Sequence, residues 1–266
     1  MFAAVLSGEA SFADAVIFGA LLMVPVILMG LTLGFAANLK LSFYKTVLIL
    51  TVLYLAGALT NMKVLSAASP AAFDMENVIA SAVEQIQAGL DNAYAGNPEV
   101  QELFRAILGE IAKTMLTISP AIFALLSLLT AYVCAVLFKA FRMRQQADMS
   151  FWPAFYRLRA DKLSGILFIV VFLLNAVAPE GLFSDASLNV LIILSGAFFL
   201  FGLAFIDWRL RASGLKAAPR RLILIACIPL CTMFFMIPLI VVITLGVTDG
   251  IFDFRTRTLK KFHGEE

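Results

Sequence analysis

Leu188-Asn-Val-Leu-Ile-Ile-Leu-Ser-Gly-Ala-Phe-Phe-Leu-Phe-Gly-Leu-Ala-Phe-Ile206 runs for 19 residues without a charged side chain, and Asp207-Trp208-Arg209-Leu-Arg211 follows at once. A helix rises ~1.5 Å per residue, so this run nearly matches the ~30 Å hydrocarbon core of a bilayer. Its abrupt charged and aromatic end is what a membrane–water interface favours. Working outward, five further runs meet or approach that length: about Ala15–Ala37, Thr46–Leu65, Thr114–Phe138, Leu163–Pro179 and Leu222–Val247. The fold class is therefore all-α, a polytopic transmembrane helix bundle of about six spans. Composition agrees, with 62% hydrophobic and only 14% charged residues. A soluble domain carries about a quarter charged residues, so this chain takes the lipid bilayer as its first partner.

The loops alternate in charge. Lys40 and Lys45 follow the first run; Lys139, Arg142, Arg144, Arg157, Arg159 and Lys162 follow the third; Arg209, Arg211, Lys216, Arg220 and Arg221 follow the fifth. The stretch after the second run is dominated by Asp and Glu, and the turn after the fourth carries Glu180 and Asp185. The positive-inside rule puts the basic loops in the cytoplasm and the N-terminus outside, with Trp152, Tyr156 and Trp208 as interfacial anchors. Met1 to Asp14 contain no Lys or Arg, so the first run reads as a retained anchor rather than a cleaved signal. Alternation breaks at the end, because the tail is basic at Arg255, Arg257, Lys260 and Lys261. Pro229 and Pro238 interrupt the last run, and each removes a backbone donor. The favoured reading is one continuous, kinked span; the alternative is a re-entrant hairpin that returns the tail to the basic side.

The whole chain, 1–266, reads as a single membrane domain carrying an extracytoplasmic helical insertion over 66–113. Ile79, Val83, Ile86 and Leu90 follow helical spacing, as do Leu103, Phe104, Ile107, Leu108 and Ile111. Between them Gly96-Asn97-Pro98-Glu99 supplies a break, an N-cap, a first-turn proline and a first-turn acid. This predicts an amphipathic helical hairpin.

Motifs for chemistry are scarce. The chain has no Gly-rich loop ending in Lys-Ser/Thr and no His-Glu-x-x-His, and its one histidine, His263, leaves Ser164 and Ser195 without an imidazole. Cys134, Cys227 and Cys231 lie in apolar runs and read as small packing residues. No cofactor or metal is expected, and a net charge of +2 gives no case for nucleic acid. Asp249 and Asp253 are the nearest thing to a catalytic pair, although Asp253, four residues before Arg257, also fits a helical ion pair. Candidate ligand or partner contacts are the polar residues at span ends and in the closing segment: Asn175, Asn189, Asp207, Asp249, Asp253 and Arg255. Small residues mark helix-packing faces: Gly30 and Gly34, Gly57, and Gly196 with Gly202.

Trp152-Pro-Ala-Phe155 with Arg157-Leu-Arg159, then Gly202-Leu-Ala, a proline-broken run and Leu245-Gly-Val-Thr-Asp249-Gly-Ile-Phe-Asp253-Phe-Arg255 form an ordered set. It resembles the YybS-like family of uncharacterised bacterial inner-membrane proteins, which is grouped with the substrate-binding components of energy-coupling-factor vitamin transporters. The resemblance implies an inner-membrane six-helix bundle with an outward-facing ligand pocket. The chain departs from it in lacking additional N-terminal spans and in carrying Phe201 where relatives often have Gln. The function expected is a non-catalytic membrane protein, a small-molecule-binding or transporter-component-like subunit of unknown substrate that works with other membrane subunits. The alternative is a scaffolding subunit of an envelope or membrane complex, docking through the hairpin between Asp74 and Lys113.

Overall fold

A computed structural model describes residues 12–68, 75–94, 96–233 and 236–256. They fold into α-helices and one 3-10 turn, with no strand among the described residues. The helices are α1 (Phe12–Asn38), α2 (Phe43–Ala68), α3 (Met75–Ala93), α4 (Pro98–Arg144), α5 (Lys162–Val177), α6 (Leu182–Ala212), α7 (Ala217–Met233) and α8 (Met236–Phe252). They gather into two compact units, residues 1–151 and 152–266. Three helices are long and apolar enough to cross a bilayer, over Phe43–Val64, Pro98–Arg144 and Leu182–Ala212; Met23–Asn38, Lys162–Val177 and Met236–Phe252 are shorter apolar lengths. The protein is a helical membrane protein.

In the first unit α2 packs on α4. The buried face of α4 is made of small residues, Ala121, Ala124, Ser127, Ala131 and Ala135, which let a neighbouring backbone come close. Leu50 and Thr46 of α2 are fully buried, and Phe43 meets the Tyr132 ring edge-on at 6.0 Å. Pro25 of α1 sits against Gly57 of α2, where an added Cβ would lie 2.9 Å from the proline ring. Gly30 and Gly34 have nothing within 4 Å of an added Cβ, so neither needs to be glycine to fit a neighbour among the described residues.

The expected hairpin forms, but its second arm and the third span are one helix. α4 runs for 47 residues, about 70 Å, more than twice the ~30 Å hydrocarbon core. Nothing between Ile107 and Thr114 stops it, since Gly109 alone costs only about 1 kcal/mol. Asn97 caps its start by accepting from Val100 N at 3.4 Å. Arg105 pairs with Asp91 at 3.0 Å, and Tyr94 stacks on Phe104 at 5.5 Å, closing α3 onto α4.

In the second unit α5, α6 and α8 cross closely. A Cβ on Gly202 of α6 would fall 2.0 Å from Val242 O, and one on Gly246 of α8 would fall 2.2 Å from Phe198 O. Bare backbone therefore touches bare backbone at the α6–α8 crossing. Gly196 lies half-buried in α6. The last apolar run, Leu222–Val247, departs from the favoured continuous span. Near the start of α7, Arg220 Nε lies 2.6 Å from Asp207 Oδ1 at the basic end of α6. Further along, Cys231 of α7 and Val242 of α8 share one cluster with Leu203. Beyond α8, the Arg255 guanidinium lies 6.0 Å from the Trp208 ring, again at the basic end of α6. Entry and exit lie beside neighbouring residues, so the run turns back, as the re-entrant alternative requires. α7 ends at Met233 and α8 begins at Met236, within the Pro229 to Pro238 interval. The chain thus leaves α8 on the side of the other basic segments of this unit, and the apparent exception to charge alternation disappears.

Candidate functional site

The return of α8 brings three segments to one end of the second unit. The first is the loop before α5. Trp152 is 1% exposed, so it anchors this loop from inside. The 3-10 turn Phe155–Arg157 presents the Tyr156 carbonyl. After it Leu158 and Ala160 are buried while Arg157 and Arg159 are exposed, the period-two alternation of an extended chain. Asp161 then caps α5, accepting from Ser164 N at 3.1 Å and from the Ser164 hydroxyl.

The second segment is the end of α8. Gly250 lies against Ala160, where a Cβ would come within 3.1 Å of the alanine methyl. Asp253 ends the helix at φ +48, a left-handed conformation that Asp tolerates better than most residues. Its carboxylate accepts from Thr256 Oγ1 at 2.9 Å and from Arg159 Nη1 at 2.6 Å. The expected helical partner, Arg257, lies outside the described residues. The turn folds Arg255 back over Asp249, and Arg255 Nε donates to Asp249 Oδ2 at 2.7 Å. Arg255 Nη1 donates to Tyr156 O at 2.6 Å, stitching α8 to the loop. This pair is deep, with Asp249 2% and Arg255 6% exposed. Asp249 Oδ1 has no hydrogen-bond partner among the described residues.

The third segment is the last turn of α6. Phe205 and Trp208 stack at 5.6 Å, and the Arg255 guanidinium lies 5.7 Å from the Phe205 ring. Arg211 lies over the Tyr156 ring at 4.2 Å, and Arg157 approaches the same ring at 5.5 Å. Asp207 and Arg220 are in ion-pair contact, although their geometry does not make a hydrogen bond.

Together Tyr156, Arg157, Arg159, Trp208, Arg211 and Arg255 line a cavity of about 520 Å³. Of its four arginines, Arg159 and Arg255 are paired with aspartates. Arg157 and Arg211 make no ion pair with a carboxylate among the described residues; an aromatic face is what each one meets. The cavity wall therefore carries two more cations than the carboxylates paired to it. Arginines over aromatic rings present flat, donor-rich faces suited to an oxyanion. No group of three or more His, Cys, Asp or Glu side chains able to hold a metal occurs among the described residues.

Of the residues singled out from sequence, Asp249, Asp253 and Arg255 meet here, and Asp207 adjoins them. Asn175 and Asn189 do not. Asn175 accepts from Ser187 Oγ at 3.0 Å and Asn189 donates to Asp185 O at 2.8 Å, both toward the opposite end of α6. The sequence reading missed Tyr156, Arg157, Arg159, Trp208 and Arg211 as site residues, treating them as orientation charges and anchors. The arginine cavity also opens at the basic end, whereas the family resemblance implies an outward-facing pocket.

Burial raises the Asp253 carboxyl, but the Thr256 and Arg159 hydrogen bonds outweigh it and hold the group below its ordinary value near 3.8. A carboxyl depressed in the folded state adds stability that is present above the unfolded value and lost as pH falls through the folded one. Stability should therefore decline in acid below about pH 4. Asp253→Asn should show a shallower decline over that window, measured by thermal unfolding in detergent from pH 7 to pH 3. Equal slopes for both proteins would contradict the assignment.

Residues 3–250 match a family described as "Predicted membrane protein (DUF2232)". No curated protein matches the chain, and no solved structure does.

Proposed function

The chain belongs to this DUF2232 family of predicted membrane proteins, and for such a membrane protein we propose a non-catalytic component that binds a small anionic molecule at the basic end of its second unit. The observation that carries the reading is the pair Arg157 and Arg211, both set on the Tyr156 ring and neither in an ion pair with a carboxylate among the described residues. An exposed arginine gains little from an isolated surface ion pair, but several guanidinium groups converging on one cavity add charge-assisted and bidentate bonds. The paired arginines, Arg159 and Arg255, act as the frame. Nothing in this reading requires a bond to be made or broken, and any transport in which the protein takes part draws its energy from other chains. It keeps the idea of a transporter-like binding component and moves the ligand to the basic end. Binding of inorganic phosphate tests it, with chloride at equal ionic strength as the control. A ligand at 100 times its Kd stabilises by about 2.7 kcal/mol, a readable rise in Tm. The wild type should be stabilised by phosphate over chloride and the Arg157→Gln/Arg211→Gln variant should not. Equal Tm values in the two salts, or an undiminished shift in the variant, would count against the reading.

One observation favours the scaffolding alternative. No residue of α3 is buried, and Ile86 of α3 with Leu103 and Ile107 of α4 are exposed apolar side chains on the hairpin. If that face docks a partner, Ile86→Glu/Ile107→Glu should release the protein from a stoichiometric complex in native membranes. Survival of the complex would remove this reading.

A further inference from the structure

We infer that the anion held at the arginine cavity is the phosphate of an anionic phospholipid, with one acyl chain lying in the apolar groove between α5, α6 and α8. This inference rests on the anion-binding reading above and adds the class of molecule. The groove has a volume of about 650 Å³ and is walled by Phe168, Phe172, Leu191, Ile243, Ile251 and Phe252 among others. The Thr248 hydroxyl on its wall is satisfied within α8, donating to Thr244 O at 2.7 Å, so at that position the wall offers an acyl chain no unsatisfied donor. Along α8 it extends from Ile240 to Phe252, about 18 Å of helix and close to the depth of one leaflet.

Groove and cavity are joined by aromatic rings. Phe252, which lines the groove, stacks on Phe254 at 5.8 Å. Phe254 reaches Phe205 at 6.4 Å, and Phe205 stacks on Trp208, which lines the cavity. A soluble anion would use the arginines and leave the groove empty. A phospholipid matches both parts in order: charge where Arg157 and Arg211 stand, aromatic rings at the ester level, and an apolar channel beyond. Basic pockets beside membrane helices select anionic headgroups for this reason. The guanidinium groups of Arg157 and Arg211 favour a headgroup with net negative charge over a zwitterionic one, whose own cation they would repel.

Native mass spectrometry on the full chain tests this, using detergent micelles doped with equal amounts of phosphatidylglycerol and phosphatidylcholine. The wild type should retain one phosphatidylglycerol per chain with at least about tenfold preference over phosphatidylcholine, the selectivity that ~1.4 kcal/mol confers. Arg157→Gln/Arg211→Gln, which changes only exposed side chains, should lose that preference while keeping its Tm in chloride. Glycerol 3-phosphate, the headgroup chemistry without the chains, separates the two levels of the argument. If it displaces phosphatidylglycerol at equimolar concentration, the groove adds nothing and the lipid assignment falls while anion binding stands. Binding of inorganic phosphate at the same arginines without any lipid preference has the same meaning. Absence of both phosphate stabilisation and lipid preference overturns the inference together with the reading beneath it.

Discussion

Asp249→Ala should destabilise the protein by about 3–5 kcal/mol, the cost of leaving one member of a buried ion pair without its partner. Arg255 is 6% exposed and holds its place through Asp249 Oδ2 and the Tyr156 carbonyl. Removing the carboxylate leaves a guanidinium that must stay buried uncompensated or pull out of its seat over Phe205. Either outcome dismantles the cavity, because Arg255 ties the end of α8 to the loop that carries Tyr156 and Arg157. The double variant Asp249→Leu/Arg255→Met should be markedly less damaged than Asp249→Ala, since apolar groups of similar volume commonly replace a buried pair at little cost. Unfolding by denaturant titration in mixed micelles measures both. A single variant within about 0.5 kcal/mol of wild type would show that the pair is solvated and not the seat described here.

Gly246→Ala should cost about 3 kcal/mol, the upper part of the overpacking range, for a single added methyl group. The added Cβ would sit 2.2 Å from Phe198 O and 2.9 Å from Gly202 N, both backbone atoms that no rotamer change can move aside. α6 and α8 must separate, and the groove wall and the Asp249 turn separate with them. Gly202→Ala meets Val242 O at 2.0 Å and should behave alike. Gly30→Ala is the contrast: nothing lies within 4 Å, and alanine favours the helix over glycine by about 1 kcal/mol, so this variant should unfold no more readily than wild type. Equal effects at Gly246 and Gly30 would mean that the α6–α8 crossing is looser than described.

Much of this was legible in the sequence, and for identifiable reasons. The run from Leu188 to Ile206 reads as a membrane helix because a charge-free stretch of that length has few other stable states. Asn97-Pro98-Glu99 gives the start of α4 because capping is local chemistry, decided within one turn. The end of the same helical stretch was not legible, since the change from amphipathic arm to apolar span near Thr114 alters the environment without altering the backbone. Small-residue spacing was ambiguous for a similar reason. Gly30 and Gly34 have the textual form of a packing motif and leave open space where a Cβ would stand, whereas Gly246, outside any such motif, makes one of the closest approaches in the second unit.

The candidate site was half legible. Asp249, Asp253 and Arg255 stood out by chemical type in an apolar neighbourhood. Their partners Tyr156 and Arg159 lie about a hundred residues away, and a distance of that kind is closed by topology alone. Topology turned on whether residues 217–256 cross once or turn back, and two prolines near the middle allowed either. The basic onset of the tail was the sequence signal for a return, and a continuous, kinked span would keep Asp249, Asp253 and Arg255 apart from Tyr156 and Arg159.

The assembly of the site depends on that return, and side-specific labelling tests it most directly. With Cys134, Cys227 and Cys231 replaced by serine, single cysteines at Ser213, just beyond α6, and at Thr256, just beyond α8, would be exposed to a membrane-impermeant maleimide in sealed vesicles of defined orientation. Asp185, at the opposite end of α6, supplies the reference for the other side. S213C and T256C should label from one side and D185C from the other. Labelling of T256C together with D185C would mean that the last run crosses the membrane, and Asp249, Asp253 and Arg255 would then not meet Tyr156 and Arg211 at all.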